Sequence, residues 1–380
     1  TGLTPGIHIN LIGVFLVSLS ISFLSSIEPI YFVVFIVAMA ITHTFVDFIP
    51  SIFLGCPDTD TELSVLPGHE LLKKGLGYEA ITLTTYGSLA AIFILILIAF
   101  PSTIIISKTY NYIQNIIPYL LIIVSILLIS LEKKKFIALF VFLLTGSLGL
   151  CVLNLEQLNQ PLLPLLTGLF GSSMLILSIK NKIKIPQQEI SKPHIQKQNL
   201  ILPLLGSMIA SPLCSFLPGL GSGQAAIIGN IISRTGRKGF LVLIGATNTL
   251  VMGFSFLSLY IISRTRTGAA VAIKEIIGEP STNILILILI IILINGIISF
   301  FLTISLAKVF SQKIQNINYT LLSIITLIIL TIIVFLVSGF LGLAVLTAST
   351  FTGIYSISLK VRRTQMMGCL LIPTIIFYLL

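Results

Sequence analysis

Apolar runs of about 17–25 residues, the length a helix needs to cross a bilayer, recur along the whole of this chain. The plainest are "NILILILIIILINGIISFFLTISL" (Asn283 to Leu306) and "YTLLSIITLIILTIIVFLV" (Tyr319 to Val337). Hydrocarbon has no water to satisfy exposed peptide groups, so each run is read as a helix that bonds its own backbone. Soluble domains carry roughly a quarter of their residues charged, whereas this chain of 380 residues carries 9% and is 56% hydrophobic. The class is an all-α polytopic integral membrane protein, multi-pass in the cell membrane, with the lipid bilayer as its first partner.

The net charge of +10 sits in short connections between apolar runs. Cytoplasmic loops collect Lys and Arg in this way, so the charge is a topology signal and implies no nucleic acid. Cys56, Cys151, Cys214 and Cys369 are far apart, each among apolar residues, with no CxxC pair and no metal spacing. Neither a disulfide, a metal nor a cofactor is expected. No cleavable signal peptide is visible. The chain opens at Thr1 inside a motif, which leads us to expect residues upstream of it.

About ten crossings are expected, at roughly 30–50, 78–100, 113–131, 136–153, 161–179, 239–262, 281–306, 318–337, 338–358 and 364–380, with ends uncertain by about two to four residues. "EKKK" (Glu132 to Lys135) and "KNKIKIPQQEISKPHIQKQ" (Lys180 to Gln198) mark the cytoplasmic side. The second stretch divides the chain into a first membrane repeat over 1–179, a linker over 180–199 and a second repeat over 200–380. Each half opens alike, with "LTPGIHIN" (Leu3 to Asn10) and "LPGLGSGQ" (Leu217 to Gln224). "THT" (Thr42 to Thr44) then matches "TNT" (Thr247 to Thr249), and "DTDTELSV" (Asp58 to Val65) matches "RTRTGAAV" (Arg264 to Val271). If the Pro-Gly segments are re-entrant hairpins, the basic "RTGRK" (Arg234 to Lys238) returns to the cytoplasm and the repeats are inverted, as in many secondary transporters. If those segments span fully, the repeats are parallel. The inverted arrangement is the expectation.

Pro and Gly between two apolar half-helices break the helix. Irregular backbone at membrane depth survives only inside protein or beside a wet cavity. The half-helix that follows presents unpaired N–H groups and the positive end of its dipole, which suits an anion. Pro5, Gly6, Pro218 and Gly219 form the breaks. Gly221, Ser222 and Gln224 supply close approach and donors, and His8 and Asn10 hold comparable places in the first copy. Thr44 and Asn248 stand behind them. The plainer alternative is that these glycines only let helices pack.

In "LYIISRTRTGAAVAI" (Leu259 to Ile273) two arginines interrupt an apolar run. Ionisable groups at membrane depth are costly and pair or serve a function. Arg264 and Arg266 are read three ways. They form a salt bridge with Asp58 and Asp60 across the repeat axis, or they contact an anionic substrate through their fork of donors. Alternatively, Asp47, Asp58 or Asp60 forms a site for a coupling cation. We find no nucleophile–base pair, metal cluster, phosphate-binding loop or soluble domain, so an enzyme is not expected. A channel and an intramembrane enzyme on a lipid-linked substrate are the remaining classes.

"TPGIHIN", "THTFVDFIPSIFLGCPDTDTELSVLPGHELLKKGLGYEA", "LPGLGSGQAAIIGN" and "VRRTQMMGCLLIPTIIFYL", in that order, resemble the large permease of the tripartite tricarboxylate transporters (TctA-type), and in particular an archaeal branch of that superfamily. The resemblance covers nearly the whole chain. It implies a duplicated membrane domain that carries a carboxylate, driven by a proton or sodium gradient. A small membrane subunit and an extracytoplasmic binding protein would be partners. The Pro-Gly segments at Pro5, Gly6, Pro218 and Gly219 would be the substrate loops. "CPDTDT" and "SRTRTG" stand where such permeases carry a second Pro-Gly pair. A weaker, architectural likeness is to membrane proteins that return polyprenyl phosphate carriers across the bilayer. The two functions expected are therefore a carboxylate permease and, as the alternative, a translocase whose ligand is a lipid phosphate.

Overall fold

The computed structural model describes residues 2–3, 13, 28–54, 61–181, 186–190, 198–216, 221–265, 267–313 and 319–379. Helix α1 (Pro29–Val46) breaks at Asp47 and resumes in a π-helical turn, Pro50–Leu54. Helices α2 (Val65–Leu72), α3 (Gly77–Ser130) and α4 (Lys135–Leu153) follow. Next come α5 (Leu162–Leu166), a π-helical stretch Thr167–Ser172, and α6 (Ser173–Asn181). Beyond the linker are α7 (Gln198–Phe216), α8 (Ser222–Ser233), α9 (Arg237–Ile262), α10 (Gly268–Ile277), α11 (Thr282–Lys313) and α12 (Tyr319–Ser358). A 3-10 turn, Arg363–Met367, leads into α13 (Gly368–Leu379).

Among the described residues 6 helices are long and apolar enough to span a membrane. Three further expected crossings are present as shorter apolar helices, Pro118–Ser130, Leu162–Leu177 and Arg363–Leu379. The crossings expected at 78–100 and 113–131 are present as the apolar stretches Gly77–Lys108 and Pro118–Ser130, joined by helical backbone within Gly77–Ser130. Those at 318–337 and 338–358 are two helical stretches separated at Gly339, where φ is 64° and ψ −160°. A residue with a Cβ would be strained at that φ, and glycine is not.

α9 is the central helix, with 94% of its apolar stretch buried against 22% for the first part of α3. α3 and α9 run parallel. Lys238 Nζ donates to Glu79 Oε1 near their starts (2.6 Å), Ser88 Oγ donates to Gly245 O farther on (3.0 Å), and the Leu95 side chain closes on Gly253 beyond. A Cβ at Gly245 would lie 2.0 Å from Thr84 O, and one at Gly87 would lie 2.0 Å from Val242 O. Small residues admit this approach where lipid offers no hydrophobic drive for helix association.

α1 and α11 are likewise parallel. Asn295 Nδ2 donates to Ala38 O (2.7 Å), Ser299 Oγ donates to Thr42 Oγ1 (3.0 Å), and Phe53 stacks on Phe310 at 6.3 Å between ring centroids. α3 and α11 are antiparallel, because Tyr86 meets Phe300 (5.5 Å) while the later Ile92 lies over the earlier Gly296. It follows that α1 and α9 run in opposite directions.

α7 and α8 form an antiparallel hairpin so tight that a Cβ at Gly206 would meet Gly229 O at 2.4 Å. α8 is about 18 Å long, too short for the core, so the chain returns to the side from which α9 sets out. Part of the linker is pinned to the first half. Gln188 accepts from Gly77 N (2.8 Å) and donates to Leu72 O (3.1 Å), bridging the end of α2 and the start of α3.

Candidate functional site

At the far end of α9 a cavity of ≈ 390 Å³ opens where five segments meet. Its size falls in the usual range for small-ligand sites. The end of α7 contributes Ser215 and Phe216, and α9 contributes Ser258 and Ile262. The connection after α9 supplies Ser263, Arg264 and Thr265, α10 supplies Lys274, and the end of α13 supplies Tyr378. Phe216 is the last described residue of α7, so the cavity lies at the described end of that helix.

Local chain geometry explains this convergence. Ser263 is left-handed (φ 52°) and ends α9, with its N–H bonded to Leu259 O (3.1 Å). The chain then doubles back. Thr267 caps α10 by accepting from Ala270 N (3.3 Å), and its hydroxyl meets Ser255 Oγ at 2.9 Å. Arg264 and Thr265 are carried on the bend between these anchors. Arg264 Nη1 donates to Tyr378 OH (2.6 Å), and Lys274 Nζ donates to Ser263 O (2.7 Å). Ser263 Oγ in turn donates to Glu279 Oε1 (2.5 Å).

Among the described residues of the wall Arg264 and Lys274 are the charged ones, and both are cations. Ser258 also lines the cavity. It is fully buried, and its hydroxyl has no hydrogen-bond partner among the described residues. Two cations, a phenol and a spare hydroxyl are the complement of a small anion.

The other expected site residues fall in two places. On α8, Gln224 Oε1 accepts from Gly221 N (2.8 Å), capping the first turn, while its buried Nε2 has no partner among the described residues. Ser222 is buried beside it. Thr44, Asp47 and Asn248 meet where α1 crosses α9. Asn248 Nδ2 donates to Asp47 Oδ2 (2.9 Å) and to Thr44 O (3.4 Å), and Thr44 Oγ1 lies 3.1 Å from Thr249 Oγ1. This layer is about 20 Å along α9 from Arg264, so the structure gathers the expected residues into two clusters.

Pro5, Gly6, His8, Asn10, Asp58, Asp60, Pro218, Gly219 and Arg266 lie outside the described residues. Because α1 and α9 leave the Thr44–Thr249 contact in opposite directions, the connections toward Asp58 and toward Arg264 set off for opposite faces. The hydrogen bond described for Arg264 is to Tyr378.

Sequence reasoning missed Lys274, Tyr378, Ser258 and Ser215. Lys274 is followed by Glu275 in a short amphipathic helix and reads as surface charge. The other three are spaced like any polar residue in an apolar helix. Among the described residues no group of three or more His, Cys, Asp or Glu side chains is placed to hold a metal ion.

Comparison with known proteins shows that the tripartite tricarboxylate transporter TctA family model matches residues 1–368. An uncharacterized protein of Methanocaldococcus jannaschii is 31% identical over 389 residues, spanning 100% of this chain and 96% of that protein. No solved structure matches the chain significantly.

Proposed function

The chain belongs to the tripartite tricarboxylate transporter TctA family, a family of membrane transporters, and we propose that it is a permease for a carboxylate anion bound in the cavity at Arg264 and Lys274. One observation carries the reading: two cations and a buried hydroxyl with no partner among the described residues line one cavity at the described end of α7. The hairpin tip at Pro218 and Gly219 would bring backbone donors to the anion. Gly221 and Gln224 would stiffen the start of α8 behind it. Arg266 would reach the same space from the far side of the Arg264 bend.

We assign the two halves, 1–179 and 200–380, as inverted repeats. The opposed directions of α1 and α9, and of α3 and α11, support a two-fold axis in the membrane plane. Asp47, held by Asn248 at the break after α1, is the carboxylate best placed to bind a coupling proton or sodium ion. His8 and Asn10 would serve the counterpart of the cavity in the first repeat. An extracytoplasmic binding protein and a small membrane subunit are the partners expected of a tripartite system.

The test is thermal stabilisation of the purified protein in detergent by di- and tricarboxylates and by a short-chain polyprenyl phosphate, for wild type and Arg264→Gln. A ligand that binds only the folded state raises apparent stability. Carboxylates should raise the melt of the wild type and fail to raise that of the variant. Stabilisation by the lipid phosphate alone would overturn the reading.

A further inference from the structure

At the other end of α13 from the cavity, two connections far apart in sequence are drawn together. One joins α3 to α4 and carries Glu132, Lys133 and Lys134, with Lys135 opening α4. The other leads from α12 toward α13 and carries Lys360 and Arg362. Arg362 N donates to Glu132 Oε1 (3.3 Å) and Arg362 Nε lies 3.4 Å from the same oxygen. Gln365 Nε2 donates to Leu128 O (2.9 Å), securing the contact from within. Glu132 is buried, while Lys133, Lys134, Lys135, Lys360 and Arg362 are exposed around it. Among the described residues no carboxylate pairs with the four lysines.

Directly below these cations the surface turns apolar. Phe136 is 89% exposed, and Phe140 packs edge to face on Tyr355 (6.4 Å between centroids), joining α4 to α12. A general bias of positive charge toward the cytoplasm accounts for lysines at helix ends. It does not account for a buried glutamate that holds Arg362 of the second half beside Lys133 and Lys134 of the first, next to the exposed rings of Phe136, Phe140 and Tyr355. The ligand that matches such a surface is anionic at one end and hydrocarbon along the rest.

We propose that this cluster is a binding site for an anionic phospholipid of the cytoplasmic leaflet. Its phosphate lies among Lys133, Lys134, Lys360 and Arg362, and an acyl chain lies along Phe136, Phe140 and Tyr355. Basic groups next to membrane helices attract anionic headgroups, and the attraction is screened by salt. A lipid held here bridges the α3–α4 and α12–α13 connections, so it stabilises the contact between the two halves.

The experiment is a melt of the purified protein in mixed micelles containing phosphatidylglycerol, phosphatidylcholine, or glycerol phosphate without chains. The wild type is compared with K133Q/K134Q/K360Q and with K73Q/K74Q, a pair of exposed lysines elsewhere. Phosphatidylglycerol should raise the melt of the wild type and of K73Q/K74Q by several degrees, less so in half-molar salt. Phosphatidylcholine and glycerol phosphate should not. The triple variant should lose most of the shift. K360Q alone, a side chain with no partner among the described residues, should lose part of it and covers the case of a triple variant that does not fold. An undiminished shift in K360Q and the triple variant, or an equal shift with phosphatidylcholine, overturns the proposal.

Discussion

The hydroxyls of Thr44 and Thr249 lie 3.1 Å apart although 205 residues separate them in sequence. They are the last residues of "THT" and "TNT", the pair of motifs that suggested duplication. On the inverted-repeat arrangement proposed above, corresponding residues touch where the two-fold axis passes. The contact therefore has an energetic signature. Hydrogen bonds between membrane helices average about 0.6 kcal/mol in double-mutant cycles. Thr44→Val and Thr249→Val should each destabilise, and the double variant should cost less than their sum by roughly that amount. Strict additivity in an unfolding titration would remove the pair as a coupling between α1 and α9.

Ser258 offers a sharper test of the cavity, because structure and function pull in opposite directions. Its buried hydroxyl has no partner among the described residues, and an unsatisfied buried group costs about 1–3 kcal/mol. Ser258→Ala should leave the unliganded protein as stable as wild type or more so. Its carboxylate affinity should fall several-fold, since the hydroxyl would then be missing from the wall. A variant equal to wild type in affinity would place Ser258 outside the ligand's reach. Isothermal titration and a melt on one preparation give both readings.

Arg264 should be sensitive to shape as well as charge. A charge-assisted hydrogen bond contributes about 1.5–3 kcal/mol, or roughly 10- to 100-fold in affinity. Arg264→Gln should lose that much in carboxylate binding. Arg264→Lys should fall between, because it keeps the charge and loses the planar fork. Lys274→Gln should weaken binding through the loss of a second positive charge in the wall. If Arg264→Lys binds as tightly as wild type, the arginine supplies field alone.

Much of the architecture is legible in the sequence because it rests on length and composition. The span of α4, Lys135–Leu153, falls almost on the expected 136–153. The junction between α3's two apolar stretches was less legible. The expected crossing at 78–100 stops short of Pro101, yet helical backbone continues past it, and Pro118 lies inside the second stretch as it does inside the expected 113–131. The cavity was legible only at Arg264. Tyr378 lies far along the chain from Arg264, and nothing local in an apolar run shows that its hydroxyl ends beside a guanidinium. Lys274 was hidden because its role depends on the doubling back at Ser263, a left-handed serine that no propensity favours.

Close approach between α3 and α9 is the packing feature most exposed to a single methyl. A Cβ on Gly245 would sit 2.0 Å from Thr84 O, and backbone cannot yield as a side-chain tip can. Overpacking of this kind costs about 1–3 kcal/mol and sometimes more. Gly245→Ala should lower the melting temperature clearly. Gly236→Ala should not, because nothing lies within 4 Å of a Cβ there and φ is −71°. Equal melts for the two variants would mean that the helices separate without cost.

Two ion pairs at the start of α9 differ in burial, and their removal should differ accordingly. Arg237 Nη1 lies 2.6 Å from Glu70 Oε2, with side chains 72% and 39% exposed. Lys238 Nζ lies 2.6 Å from Glu79 Oε1, with Lys238 38% and Glu79 only 6% exposed. Exposed pairs contribute about 0–1 kcal/mol, whereas breaking a fully buried one costs about 3–5 kcal/mol. Lys238 is partly solvated, so Lys238→Met should fall between these limits, at about 1–3 kcal/mol, because it strands the Glu79 carboxylate between α3 and α9. Glu70→Gln should change the melt little. Lys238→Met combined with Glu79→Leu should recover part of the loss, since removing both charges also removes the desolvation penalty. A double variant as unstable as Lys238→Met alone would show that the pair acts through packing of its stems and not through charge.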